Sequence, residues 1–180
     1  MRNPFAAITC LLASPLLLPG AQTPRQAPEI QIQVPNGKPI QLSQYKGKPV
    51  VLAFILTTCS HCQHTTGLLV KLQNEFATKG LQVIECAVNS NADALVPDFV
   101  KTYKTNFPVG YNFDFDFILG PFLELPKDKS PSLPILVFID RKGMIRAEYQ
   151  GSDDFISTPN QEQNIRAEIQ KLLPRPTASR

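Results

Sequence analysis

Two cysteines three positions apart, in Cys59-Ser60-His61-Cys62, sit where one periodicity stops and another begins. Before them, Val50 to Leu56 is apolar at every position, the pattern of a central strand covered on both faces. After them, Gln63 to Lys79 puts Leu69, Leu72 and Phe76 on one side with Leu68 beside them, the spacing of an amphipathic helix. The first turn of a helix carries unpaired N–H groups and the positive end of the macrodipole, and both stabilise an anion. A thiol placed there loses its proton more readily and becomes a nucleophile near neutral pH. The second cysteine lies one helical turn on, within reach of a mixed disulfide formed by the first. The pair therefore requires a strand-to-helix junction and points to thiol–disulfide chemistry.

The ends of the chain are of a different character. Residues 1–21 read as a secretory signal peptide, with Arg2 as the charge, an apolar stretch from Phe5 to Leu18, and small residues at Gly20 and Ala21 where cleavage would fall. The stretch is short for a membrane span of about 20 apolar residues, and Pro15 interrupts it. Left uncleaved, it would be a membrane anchor. Residues 22–28 read as a proline-containing linker, 29–173 as one domain and 174–180 as a tail. The chain is thus expected to be exported, to a periplasm or cell envelope, where thiols meet an oxidising environment. With Cys10 in the leader as a passenger, Cys59, Cys62 and Cys86 remain, an odd number. One pair plus one spare is the economical reading, with Cys86 a small buried residue of a strand. A net charge of +3 with no basic cluster argues against nucleic acid as a partner.

Between the ends, elements follow in a consistent order. Glu29 to Val34 alternates, Pro35-Asn36-Gly37-Lys38 is a turn signal, and Ile40 to Leu42 returns, giving an N-terminal hairpin. Lys79-Gly80 stops the helix, and Leu81 to Val88 is a second apolar strand. Strand, helix, strand at these lengths is a βαβ unit, hence a parallel pair with a right-handed crossover. A second helix is expected from about Pro97, with Phe99, Val100 and Tyr103 buried, and Phe107-Pro108-Val109 as a short strand. Asn112 to Leu123 fits either period, with helix favoured because another crossover is needed. Asp114 and Asp116 within it read as solvated charges. A loop from Pro121 to Pro134, with Lys127, Asp128 and Lys129 at its tip, leads to the strand Ile135 to Ile139. Asp140-Arg141-Lys142-Gly143 turns it back as Met144 to Tyr149. A last helix is expected to start with Thr158 as cap, Pro159 at its first position and Gln161 closing a capping box, and to bury Ile165, Ile169 and Leu172.

On these residues the chain resembles the TlpA/ResA-like group of exported thioredoxin-fold thiol–disulfide oxidoreductases, over about Glu29 to Leu173. The resemblance rests on Cys59-Ser60-His61-Cys62 at the strand–helix junction, on Leu133-Pro134 before a strand, on Phe138-Ile139-Asp140-Arg141-Lys142-Gly143, and on the leader. It implies an α/β, thioredoxin-like three-layer fold: a central mixed sheet, an N-terminal hairpin extension and flanking helices. It also implies that Pro134, rather than Pro131, is cis and packs by the cysteine pair, leaving the Leu133 backbone free to pair with an extended substrate. Cys59 would be the attacking or attacked sulfur and Cys62 the resolving thiol. Cysteine-containing proteins and an upstream redox protein would be the partners of a monomer. No cofactor beyond the Cys59–Cys62 disulfide and no metal is implied.

Two positions depart from the group. Thr58 stands where most relatives have tryptophan. Ala53 stands near the place where thioredoxins bury a carboxylate, so proton transfer at Cys62 is expected to use water or His61. Ser60 and His61, between the cysteines, tune the couple. As imidazolium, His61 would stabilise the Cys59 thiolate and so favour a more oxidising couple. His64 reads as a surface residue. Cys59, His61, Cys62 and His64 could together suggest a copper-binding or metallochaperone protein, but no further histidine exists in the chain and no second ligand pair accompanies them. A peroxiredoxin-like peroxidase would need a threonine one residue further from its cysteine than Thr57 is from Cys59. A binding module without turnover would not need the intact pair. The direction of electron flow stays open.

Overall fold

The computed structural model describes residues 23–114, 118–123 and 130–173. Its centre is β4 (Val50–Ile55), buried at every position. Alternate residues of β4 serve two cores: Val51, Ala53 and Ile55 face one, Val50, Leu52 and Phe54 the other. Both edges of β4 are paired. It runs parallel to β5 (Gln82–Ala87) and antiparallel to β7 (Ile135–Ile139). β5 pairs in parallel with β6 (Val109–Tyr111), and β7 pairs with β8 (Met144–Gln150) through the expected hairpin turn. The order is β1-β8-β7-β4-β5-β6, a mixed six-stranded sheet.

Three helices cover the first face. α1 (Ser60–Phe76) contributes Leu69, Leu72 and Phe76, α2 (Ala92–Tyr103) contributes Val96 and Phe99, and α3 (Gln161–Leu172) contributes Ile165, Ile169 and Leu172. The second face is covered by the hairpin of β2 (Gln31–Ile32) and β3 (Ile40–Gln41), with Ile30, Ile32 and Ile40, and by Ile118, Leu119, Phe122 and Leu123. This is the three-layer thioredoxin-like α/β fold expected from the resemblance.

Several local expectations need correction. α1 begins at Ser60, not Gln63, because Cys59 itself takes the N-cap position with extended backbone. The regular helix ends at Phe76. A short 3-10 turn, Ala77–Lys79, carries it to left-handed Gly80. α2 begins at Ala92, so Pro97 lies inside the helix rather than at its start. Ala92, Val96 and Phe99 bury one face at i, i+4 and i+7, and that burial outweighs the one ladder hydrogen bond a proline cannot donate. α3 starts at Gln161 after Asn160, without the capping box expected from Thr158. Gln161 is instead buried and spent elsewhere, as described below. Arg25–Gln26, inside the stretch expected to be linker, forms β1 against Ile145 and Met144 of β8. Arg25 fastens it, donating to the Phe122 carbonyl and pairing with Glu148. The Ile118 N–H bonds the Asp114 carbonyl in helical fashion, at 3.0 Å. The remainder of the ambiguous 112–123 stretch, residues 115–117, lies outside the described residues, as do the signal peptide, the tip of the 121–134 loop and the tail.

The hairpin is held to the sheet by a two-bond bridge, Gln33 N–H to Tyr111 O at 2.9 Å and Tyr111 N–H to Gln33 O at 2.8 Å. The close approach depends on Gly110, where a Cβ would collide with the Gln33 carbonyl and lie 2.6 Å from Ile32 Cγ2. Gly110→Ala is expected to cost about 1–3 kcal/mol in urea unfolding. Amide exchange at Gln33 and Tyr111 should lose protection before the rest of the sheet does.

Candidate active site

The cysteine pair is built by the end of β4 and the start of α1. After Ile55 the chain turns, with the Cys59 N–H on the Leu56 carbonyl at 3.2 Å. Asn89, at the end of the neighbouring strand, takes the Thr57 N–H at 3.0 Å and the Thr57 hydroxyl at 3.2 Å. Gln63 donates back to the Thr57 carbonyl at 2.9 Å. So the turn is pinned from both sides. Cys59 Sγ accepts the Cys62 N–H at 3.4 Å and its carbonyl accepts the Gln63 N–H at 2.9 Å. The sulfur thus does what an N-cap oxygen usually does, satisfying a donor of the first turn.

The two thiols, both free, are not equivalent. Cys59 is half-buried, whereas Cys62 is fully buried. Burial pushes the Cys62 thiol far up, only partly offset by the Leu56 N–H 3.5 Å from its sulfur, and the neighbouring Cys59 and Glu85 push it further. One sulfur can be reached from outside, and the other is kept protonated behind it.

Glu85 is the residue sequence reasoning missed. It stands on β5 opposite Ala53 of β4, fully buried. The carboxylate expected to be lacking at Ala53 is therefore present on the neighbouring strand, on the face that carries α1. Burial pushes its carboxyl up to about 8, against a lowering by the Thr66 hydroxyl, which sits 2.9 Å from Oε1. Its other oxygen, Oε2, is buried without a partner. A signal was available. Glu85 is the one charge in Leu81 to Val88 and falls in step with Val83 and Ala87, and an unpaired charge buried in a strand is costly enough to need a reason.

The first turn of α1 is held from below by two threonines. Thr65 donates to the His61 carbonyl at 2.9 Å and receives the Gln161 side-chain N–H at 2.8 Å. Thr66 lies 3.0 Å from the Cys62 carbonyl. Gln161 thereby fastens α3 to the redox turn, which is where the expected capping side chain went. Thr58, Ser60, His61 and His64 are exposed. Cys86 is buried on the opposite face of the sheet from Glu85.

The Leu133–Pro134 bond is cis, and Pro131 is not. Ile135 pairs with Phe54, so Pro134 lies at the end of the sheet from which the chain runs to Cys59. Gly151 holds this segment close. Its N–H donates to the Ser132 carbonyl at 2.8 Å, and a Cβ there would run into the Leu133 carbonyl.

With this geometry in view, the chain can be compared with known proteins. The profile of the AhpC/TSA family matches residues 24–148. The thioredoxin-like protein YneN of Bacillus subtilis is 29% identical over 140 residues, 74% of either chain. The thiol-disulfide oxidoreductase ResA of the same organism is 34% identical over 119 residues, 66% of this chain and 62% of its own. Among solved structures, a thiol:disulfide interchange protein of the thioredoxin family from Chlorobium tepidum superposes with a TM-score of 0.69 at 21% identity, covering 86% of this chain and all of its own, that is 100%. The thioredoxin domain of a thiol-disulfide oxidoreductase from Bacteroides vulgatus gives 0.68 at 20% identity, again over 86% and 100%. At these identities the structures speak for the fold.

Because the folded carboxyl of Glu85 titrates near 8 and an unfolded one near 4.5, the native state holds a proton over that interval that the unfolded chain has released. Stability should therefore fall as pH rises from about 5 to 8. Glu85→Gln removes this slope. Urea unfolding of both proteins at pH 5 and pH 9 should show the variant gaining on the parent by a few kcal/mol at the higher pH, with parallel curves as the contrary result.

Proposed function

The chain belongs to the AhpC/TSA family, and from this we propose that it is a thiol–disulfide oxidoreductase exchanging disulfides with cysteine-containing proteins through Cys59 and Cys62. The observation that carries the reading is the inequality of the two sulfurs: Cys59 half-exposed at the cap of α1, Cys62 buried one turn behind.

In the reducing direction, the Cys59 thiolate attacks a substrate disulfide, forming a mixed disulfide and releasing one substrate thiolate. The Cys62 sulfur, giving up its proton, then attacks Cys59 Sγ. The Cys59–Cys62 bond forms, the bond to substrate breaks, and the second substrate thiolate leaves. Two electrons pass from the protein's dithiol to the substrate. In the oxidising direction a substrate thiolate attacks Cys59 Sγ and Cys62 leaves. The Cys62 N–H and the N-terminal end of α1 stabilise negative charge on Cys59 in either case. Exposed His61 adds a positive charge when protonated, and Ser60 and Thr58 complete the rim around the sulfur. The Leu133 backbone, beside cis Pro134, offers main-chain hydrogen bonds to an extended substrate segment, as in strand addition.

The reading extends to the cell envelope. The amino-terminal segment carries the features of a signal peptide, and among the described residues no helix is long and apolar enough to cross a membrane. Restoring the dithiol after each cycle, or the disulfide, falls to a second redox protein, and the protein acts as a monomer.

Cys59→Ser should abolish exchange with a disulfide-bonded protein substrate, a loss of at least about a thousandfold, since no other accessible thiol remains in the site. Cys62→Ser should instead accumulate a mixed disulfide, visible as a higher-mass species on non-reducing gels. Full turnover by Cys59→Ser would refute the scheme.

A further inference from the structure

The N–H that reaches Cys59 Sγ belongs to the peptide unit joining His61 to Cys62. The carbonyl of that same unit, on His61, accepts the Thr65 hydroxyl at 2.9 Å. A carbonyl has two lone pairs, so this bond comes in addition to the helical ladder. Thr65 in turn accepts the side-chain N–H of Gln161 at 2.8 Å. One line of hydrogen bonds therefore starts on α3 and ends on the accessible sulfur. It runs from Gln161 to Thr65, from Thr65 to the His61–Cys62 peptide, and from that peptide to Cys59.

Every link points the same way. The Gln161 side-chain nitrogen can only donate, and the Thr65 hydroxyl has a single hydrogen, which is left for the His61 carbonyl. Both side chains are buried, so water does not compete for either bond. A hydrogen bond accepted at a peptide carbonyl polarises the unit and makes its N–H a stronger donor. Aligned bonds strengthen one another by roughly 10–30% each. Thr66 provides the contrast. It lies 3.0 Å from the Cys62 carbonyl, but the N–H of that peptide, on Gln63, goes to the Cys59 carbonyl and not to its sulfur.

We propose that Thr65 and Gln161 are positioning residues that tune Cys59 through the His61–Cys62 peptide, strengthening the bond that holds its thiolate. The proposal rests on the thiol–disulfide reading above. The line acts on the dithiol state, in which Cys59 can carry charge; once the Cys59–Cys62 bond has formed, the sulfur carries none. It therefore favours the reduced protein and makes the couple more oxidising. Near the turn, α1 also carries His61, Cys62 and His64, β5 carries Glu85, and α3 carries Glu162, which is paired with Lys71 and Arg166. The side chains of Thr65 and Gln161 bond each other and the His61 carbonyl rather than any of these charges.

The test is the rate of Cys59 alkylation by iodoacetamide in the reduced full chain, followed from about pH 4 to 9 and located by peptide mapping. Cys62 and Cys86 are buried, and burial keeps both protonated over this range, so the profile reports Cys59. Thr65→Val should hold about two- to fourfold less thiolate below the midpoint, the share of a charge-assisted bond that polarisation supplies. Its midpoint then lies at higher pH. Thr65→Ser should restore the parent profile. Gln161→Met should move the midpoint the same way by less, and should add nothing in the Thr65→Val background. Equilibration with glutathione above the midpoint should show the same factor, with Thr65→Val favouring the disulfide. An unmoved midpoint in Thr65→Val, or a Gln161→Met shift that persists undiminished beside it, overturns the proposal. If Thr65→Val does not fold, an unmoved midpoint in Gln161→Met overturns it. A parent protein that forms no Cys59–Cys62 disulfide with glutathione would instead remove the oxidoreductase reading, while the alkylation profiles would still decide whether Thr65 and Gln161 act on Cys59.

Discussion

Everything about the site follows from β4 being enclosed. It is buried on both faces and hydrogen-bonded along both edges, so its register against β5 and β7 is fixed by two ladders at once. The chain can leave it only at the end where Leu56 begins the turn. That end is also where β5 delivers Asn89 and where β7 begins after Pro134. Three segments far apart in sequence are thus brought to one end of the sheet by the pairing of a single strand, and the loops between them need supply little beyond the turns.

The same enclosure makes the two cysteines chemically different. They are three residues apart on one helix, yet Cys59 caps it with its side chain half-buried and Cys62 is fully buried in the core, its sulfur 3.5 Å from the Leu56 N–H. A nucleophile needs access and stabilised negative charge, whereas a resolving thiol needs to remain neutral until called upon. Depth below the surface separates these roles more strongly than the identity of Ser60 and His61 does, because both of those side chains are exposed to solvent that screens them.

How much of this was readable in the sequence depended on whether a residue's task was local. β4, β5, β7 and the apolar face of α1 show their burial in their own periodicity. The hairpin turns show theirs in Asn36 and Gly143, whose positive φ angles the turns require. Pro97 misled because its local preference for a first turn competes with a burial pattern that starts five residues earlier. Gln161 misled because it has two possible employments, and the nonlocal one, on Thr65, won. Glu85 went unread as a site residue because its relation to Ala53 exists only once the strands are in register. The cis bond at Pro134 was expected from resemblance alone, since nothing in its neighbouring residues distinguishes it from Pro131.

The bond from Gln161 to Thr65 has a consequence for how the protein comes into being. Gln161 follows Thr65 by 96 positions, so at ordinary translation rates of about 5–20 residues per second the two cysteines are made roughly 5–20 s before the helix that supports their turn. For most of that time β7 is also still unmade, and β4 has one edge open. The nascent chain therefore carries a thiol pair whose turn is not yet fastened, since the bond from Gln161 to Thr65 forms only when the carboxyl-terminal helix docks. The anchoring of the redox turn is thus a property of the completed domain, acquired last.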